Sequence, residues 1–385
     1  MILIFALSLE MKKKPFCLMP FLHFHVGDRG DVRACCVGNI PYGNVNNNTK
    51  EEIWNGEAIN ALREKFLEGE SDNRCKVCLD LEKNGAKSIR EETFERFPDY
   101  KVSEHEGPIY FDVRFSNVCN FRCRTCWHGA SSKWFNDAKT LGTAIGNKAI
   151  IGNLHDFDKF IQEYGSDLIR AEEIYFAGGE PLVTEEHYQL LNWLIERKST
   201  DMRLRYNTNF SILHFKNYNV LKLWESFPSV EVMASIDAMG VEGEYIRKEF
   251  SWEGFVQNVK EIKDYSHINF KVAPTISVYN VKLLPDFYKY LIEQEVIEKE
   301  DFYVNILHRP DYFNIQILPK EKKEAVNKLY SQFLKENFPT SILKKFKEIV
   351  TYMNARDRSH LWKVFQKKSS ELDELRGESS HAINY

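Results

Sequence analysis

The sequence lacks any strong charge imbalance: 52 basic against 56 acidic residues leave a net charge of −4. That argues against a strongly basic nucleic-acid coat or a polybasic membrane binder. It also lacks a long apolar run. Met1–Leu9 is apolar but far too short to span a bilayer. Lys12, Lys13 and Lys14 follow that run rather than precede it, and no small-residue cleavage site comes after, so it does not read as a secretory signal. Met11 opens an ordinary N-terminus, and the first ten residues read as an upstream extension of the start. No internal repeat or low-complexity tract is evident. Cysteine is missing from every position after Cys126.

What is present reads as an ordinary globular chain. Its 385 residues are 43% hydrophobic and 28% charged, enough for two or three domains. The eight cysteines are the odd feature: five lie between Cys17 and Cys78 and three between Cys119 and Cys126. A secreted disulfide scaffold would be smaller and would spread its cysteines. Bunching at short spacings favours metal ligands in a reducing compartment, hence the cytoplasm.

Three regions follow from pattern. Residues 11–98 form a cysteine-bearing module. In it Phe16–Val26 reads as a strand, Gly27-Asp28-Arg29-Gly30 as a turn and Asp31–Val37 as a returning strand. Thr49 with Glu52 makes a capping box, and Ile59, Leu62 and Phe66 repeat on one helix face up to Gly69. Residues 108–318 alternate short apolar strands with helical stretches. The strands are expected at Ile109–Phe115, Glu173–Ala177, Arg203–Asn207, Val230–Ile236, Phe270–Ser277 and Phe302–Leu307. That alternation implies an α/β fold of parallel strands with crossover helices, and six units suggest a complete or partial TIM-type barrel. Residues 319–385 are rich in lysine and glutamate and read as a helical C-terminal extension, with Lys320–Lys323 and Lys344–Lys347 as solvated faces.

Cys119-x3-Cys123-x2-Cys126 follows directly on the first of those strands. Three thiolates on one loop can hold three corners of an iron–sulfur cube and leave the fourth iron open to a small molecule. Phe111–Trp127, with its Cys-Asn-Phe-Arg-Cys-Arg-Thr-Cys core, resembles the cluster loop of radical S-adenosylmethionine (SAM) enzymes. The resemblance implies a 4Fe–4S cluster on Cys119, Cys123 and Cys126 whose open iron takes the SAM amine and carboxylate. Gly178-Gly179-Glu180-Pro181, after the second strand, looks like the family's motif for the SAM amine. Glycines allow close backbone approach, and a carboxylate suits an ammonium.

The resemblance also points to Asn209 in Thr208-Asn209, where Phe210 stands in place of the family's glycine. It points to Ser235 and Arg247, which would meet the SAM ribose and carboxylate. Thr125 stands where the family usually carries an aromatic residue against the adenine. Asn280 ends the fifth strand where members often carry an asparagine. Each of these could equally be a turn or cap at a strand end.

Cys17, Cys35, Cys75 and Cys78 make a second set. With Gly30 the pattern is Cys-x12-Gly-x4-Cys followed by Cys-x2-Cys, which resembles the twitch and SPASM extensions of radical SAM enzymes. These carry auxiliary iron–sulfur clusters; four cysteines match the single cluster of the twitch form. Such modules normally follow the barrel, whereas this one precedes it. Zinc would accept the same four thiolates. Cys36 is left over, since neighbours on a strand point to opposite faces. His23 and His25 share one face of the hairpin and could line the module.

The resemblance implies reductive SAM cleavage and hydrogen abstraction from a small molecule or peptide. An auxiliary 4Fe–4S cluster would take the second electron, making the net change an oxidation. An electron donor such as flavodoxin or ferredoxin is implied, and neither nucleic acid nor membrane is expected. Asp237 and His128 are the candidate acid–base residues, with His308 and Arg309 also near strand ends. The alternatives are a non-catalytic iron–sulfur electron carrier and a zinc-stabilised binding protein.

Overall fold

The computed structural model describes residues 15–38, 40–83, 87–102 and 106–379. The apolar run at Met1–Leu9 and the second start at Met11 lie outside the described residues. The described strands are β1 (His23–Val26), β2 (Asp31–Arg33), β3 (Pro41–Asn44), β4 (Tyr110–Val113), β5 (Glu173–Phe176), β6 (Arg203–Thr208), β7 (His214–Phe215), β8 (Tyr218–Asn219), β9 (Ser229–Ala234), β10 (Ile268–Val272), β11 (Thr275–Ile276) and β12 (Asn305–Ile306). Eight of them form one sheet in the order β10-β9-β6-β5-β4-β1-β2-β3. Pairs β1–β4, β4–β5 and β9–β10 are parallel; β1–β2 and β2–β3 are antiparallel. The fold is therefore α/β with a mostly parallel sheet, as the alternation of strand and helix patterns requires. None of the described helices is long and apolar enough to cross a membrane.

The chain divides into two compact units. One contains the residues up to Ser116 with Ile151–Gly178 and Glu185–Leu204; the other contains Asn117–Ile150, Gly179–Thr184 and Arg205–Tyr385.

In the first unit β1 returns as a hairpin into β2, and its other edge runs parallel to β4, with His25 opposite Asp112. The pleat sends Phe24, Phe111 and Ile174 to one face and His23, His25 and Asp112 to the other. Phe24 packs on Tyr164 of the helix Phe157–Ile169, ring centroids 4.7 Å apart, so the apolar face is the one a helix covers. The segment before β1 differs from expectation. Met19–Leu22 is a helical turn with Pro20 near its start, and only His23–Val26 is extended. A short apolar run fits either state, and proline at a first turn selects the helix. The capping box at Thr49 and Glu52 is formed, but its helix, Lys50–Trp54, stops before Gly56 and a second helix, Glu57–Leu67, carries Ile59, Leu62 and Phe66 inward.

In the second unit the C-terminal region forms helices Lys320–Phe333, Thr340–Asn354 and Trp362–Arg376. Ile342, Phe346, Ile349 and Met353 are fully buried, each worth roughly 1.5–3 kcal/mol. Lys320 and Lys344 are 89% and 72% exposed, as a solvated face requires, whereas Lys323 and Lys345 are half-buried and donate to the Arg356 carbonyl at 3.0 Å and the Phe302 carbonyl at 2.8 Å.

Candidate functional site

The second unit gathers most of the residues singled out around the cysteine triplet. Cys119, Cys123 and Cys126 lie on the loop that leaves β4. Burial pushes all three thiols up, Cys126 to about 12; Cys123 raises Cys119 and Cys126 further, and Asp237 raises Cys123. Three thiolates packed on one half-buried loop need a compensating cation, which is the electrostatic demand of a metal or cluster site. The Arg247 guanidinium approaches Cys123 Sγ at 3.8 Å. Its other nitrogens hold Asp237 through two contacts of 2.9 Å. Asp237 also accepts from the Thr275 backbone N–H at 2.8 Å, and Asn280 donates to the Asp237 carbonyl at 3.0 Å. Asp237 is thus held between Arg247 and the backbone, and its burial is tolerated because it is paired.

Glu180 is attached to the same loop: its backbone N–H donates to the Val118 carbonyl at 2.8 Å. Its carboxylate accepts from the Thr208 hydroxyl at 2.6 Å, the Asn209 backbone N–H at 2.6 Å and the Leu182 backbone N–H at 3.0 Å. Burial outweighs these donors and lifts the carboxyl to about 7. Gly179, just before it, sits at φ 52°, where a side chain is strained. Gly178, at φ 79°, belongs to the first unit. The Asn209 side chain donates to Asn120 at 2.8 Å, and Ser211 closes a triangle with both. Ser235 is half-buried and donates its backbone N–H to the Thr208 carbonyl at 2.7 Å. Thr125 is half-buried on the cysteine loop, with Trp127 exposed beside it.

His128 belongs to a different neighbourhood. Its Nε2 accepts from the Ile145 backbone N–H at 3.0 Å, and its ring packs edge-on against Trp127. Its hydrogen-bond partners are outside the Asp237–Arg247–Cys123 group.

The first unit holds the other four cysteines. Cys17, Cys35, Cys75 and Cys78 line one small cavity, with Met19, Phe66 and Ile89 among its apolar walls. Burial raises all four thiols, Cys35 to about 12 and Cys75 to about 11, and Cys17 feels the other three. The Gly38 backbone N–H donates to Cys35 Sγ at 3.1 Å. Cys36 is outside this lining; Asp112 and Arg114 are among its charged neighbours.

A further buried group in this unit escaped the sequence reading. His25 Nδ1 bonds Asp112 at 2.7 Å, and Arg114 grips Asp112 at 3.1 and 3.2 Å. Burial opposes ionisation of Asp112, but Arg114 and His25 overcome it and hold the carboxyl well below its usual range. His23 donates from Nδ1 to the Ala34 carbonyl at 3.2 Å, and burial pushes its pKa down to about 3. His23, His25 and Asp112 are close enough to hold a metal ion. Arg114 already balances the one carboxylate, so a divalent ion would add uncompensated buried charge. The group is best described as a His25–Asp112–Arg114 hydrogen-bonded network with the neutral His23 ring stacked beside His25. The alternation that pairs His25 with Asp112 is visible in sequence only once β1 is known to lie beside β4.

Residues 17–79, which span all four module cysteines, match the SPASM family, an iron–sulfur cluster-binding domain. The chain carries a SPASM-type module. No curated protein matches the chain. Among solved structures it is similar to anSMEcpe with bound AdoMet and Cp18Cys peptide, at 15% identity over 59% of each chain, TM-score 0.42. It is similar to Streptococcus suis SuiB bound to S-adenosylmethionine, at 11% identity over 74% of this chain and 59% of that one, TM-score 0.40. It is also similar to the cobalamin-dependent S-adenosylmethionine radical enzyme OxsB, at 13% identity over 64% of this chain and 32% of that one, TM-score 0.29. The chain spans about three-fifths of the length of the first two. In the SPASM-type module the four thiols, Cys35 and Cys78 buried and Cys17 and Cys75 half-buried, and the Gly38 N–H directed at Cys35 suit iron–sulfur ligation, where bonds to sulfur tune potential.

Proposed function

We propose that the protein is a radical SAM enzyme with a partial (βα)6-type barrel and an N-terminal auxiliary-cluster module. One observation carries the reading. Three half-buried thiols share a loop whose backbone at Val118 also holds Glu180, while Arg247 reaches Cys123 Sγ at 3.8 Å. The pattern supplies three metal ligands, a carboxylate to accept from an amine and a guanidinium for a carboxylate, which suit an amino-acid moiety at an open iron. When bound, the cluster supplies the electron that splits SAM into methionine and a 5′-deoxyadenosyl radical.

The chain's own residues bind and orient. Cys119, Cys123 and Cys126 hold the cluster. Glu180, ordered by Thr208, Asn209 and Leu182, takes the SAM amine, with Gly178 and Gly179 letting backbone approach. Arg247, Ser235, Asn209 and Thr125 bound the rest of SAM, and Asp237 fixes the Arg247 fork. Asp237 and His128 remain the candidate proton-handling groups. Cys17, Cys35, Cys75 and Cys78 fill every ligand position of the module's cluster, which suits electron acceptance rather than substrate ligation. The reaction class is then an oxidative modification of a small molecule or peptide, with flavodoxin or ferredoxin as donor. Free cysteines at metal-ligand spacing suit the cytoplasm.

The test is anaerobic purification with iron and zinc analysis, then reduction in the presence of SAM. About eight irons per chain, as for two four-iron clusters, and 5′-deoxyadenosine formation are expected. Zinc without SAM cleavage would mean a zinc-stabilised binding protein; iron without SAM cleavage would mean an electron carrier.

Glu180 adds a pH dependence. Its folded pKa of about 7 lies above the ordinary 4.5. Between those values the folded state holds a proton that the unfolded state has lost, so without ligand this residue's contribution to stability falls as pH rises through the window. Accepting from the N–H groups of a bound amine favours the ionised form. SAM affinity measured by anaerobic calorimetry should therefore rise about tenfold from pH 6 to 8, and Glu180→Gln should flatten that rise. A pH-independent affinity in the unmodified protein would remove Glu180 from the amine site.

A further inference from the structure

Arg122 and Arg124 flank Cys123, and both are committed to partners far along the chain. Arg124 is completely buried. Its Nη2 reaches Asp373 and Glu378, each at 2.5 Å, from 249 and 254 residues away. Its Nε donates to the Tyr245 carbonyl at 2.9 Å, and its guanidinium lies 3.5 Å from the Tyr245 ring centroid. The Tyr245 hydroxyl donates to Asp373 at 3.0 Å, and Lys248 pairs with Glu378 at 2.6 Å. The two carboxylates meet because the helix Trp362–Arg376 ends at Gly377 in the left-handed region, φ 62°, which turns Glu378 back so that its N–H donates to the Asp373 carbonyl.

Arg122 is bound in a parallel way. It pairs with Asp137 at 2.8 Å, and the other oxygen of Asp137 accepts from Arg376 at 2.9 Å. Arg376 lies 4.7 Å over the Trp134 ring, and Trp134 Nε1 donates to the Cys123 carbonyl at 2.7 Å. Three arginines (Arg122, Arg124 and Arg376), Trp134 and three acids (Asp137, Asp373 and Glu378) therefore connect the backbone on both sides of Cys123 to the last helix. A buried guanidinium without its anions is strongly unfavourable, so these contacts are obligatory rather than ornamental. The helix is anchored separately by Phe365 against Tyr279, centroids 5.2 Å apart, and by Ser369 on the Tyr279 hydroxyl at 2.6 Å.

We propose that residues 362–378 are a clasp on the cysteine loop, with Arg124, Asp373 and Glu378 as positioning residues that hold Cys123 and its neighbours in ligating geometry. The inference rests on the three thiols being a cluster site. Charge, not bulk, carries it: Asp373→Asn with Glu378→Gln keeps size and removes both anions. Arg124→Lys keeps charge and removes the two-sided fork.

The experiment compares the reconstituted full-length protein with the D373N/E378Q double variant, E378Q alone and R124K. Circular dichroism first establishes that each is folded. E378Q alters only one of the two anions, beyond the end of the helix, and serves where the others fail to fold. Two readouts follow: metal release to a chelator, and the change that SAM produces in the electron paramagnetic resonance spectrum of the reduced protein. The clasp predicts at least tenfold faster release of about half of the metal in the double variant, a smaller acceleration in R124K and in E378Q, and a weakened SAM response. The remaining metal, in the SPASM-type module, should leave at the original rate. Release rates within twofold of the unmodified protein for every folded variant would overturn the clasp. A SAM-unresponsive spectrum in the unmodified protein would instead overturn the radical SAM reading, while the release rates would still decide the clasp.

Discussion

Replacing Cys119, Cys123 and Cys126 by alanine is expected to cut iron from about eight to about four atoms per chain and to bring 5′-deoxyadenosine formation to background. The reason lies in how the three thiols are housed. Their loop is half-buried, each thiolate is penalised by desolvation, and Cys119 and Cys126 are penalised further by Cys123. Such a group is stable as thiolates only with a cation among them, so loss of the ligands is loss of the centre rather than a weakening of it. The iron that remains should belong to the SPASM-type module. Iron content that stays near eight, or cleavage that persists above a tenth of the original rate, would move the SAM site elsewhere in the chain.

The complementary replacement, Cys75→Ala with Cys78→Ala, should remove the other half of the iron and leave SAM cleavage largely intact. What it should abolish is turnover of the organic substrate, because the acceptor for the second electron is gone. It should also lower stability. These two cysteines line a small cavity with Cys17 and Cys35, in a module whose segments are short. Metal binding in such a module is part of its folding free energy. Melting followed by circular dichroism should show an earlier transition in this variant than in the cysteine-loop variant. Equal melting temperatures would mean that apolar contacts such as those of Phe66 and Met19 hold the module together without metal.

The sequence was most readable where chemistry is local. The spacing of the cysteines, the capping box at Thr49 and Glu52, and the strand before Gly178 all depend on residues within a few positions of one another. The strands at Glu173–Phe176 and Arg203–Thr208 lie where their apolar alternation puts them. Reading failed where a short apolar run has two solutions, as at Phe16–Leu22, which a proline resolves toward a helical turn. It also failed where the partner is distant. Nothing near Arg124 indicates that its anions lie at Asp373 and Glu378, and nothing near His25 indicates Asp112 until two strands are known to pair. Asp237 stood out as a polar strand-end residue, but its pairing with Arg247 and its hold on the Thr275 N–H come only from three dimensions.

The reach of Arg124 to Asp373 also sets an order of events during synthesis. The module cysteines precede the cysteine loop, so all four can be made and loaded while the remainder is still emerging. Arg122 meets Asp137 only 15 residues on, but Arg124 must wait for 249 further residues before its first carboxylate exists. At roughly 5–20 residues per second that is about 12–50 s. For that interval the ribosome carries three cysteines beside an Arg124 with no anion to bury against.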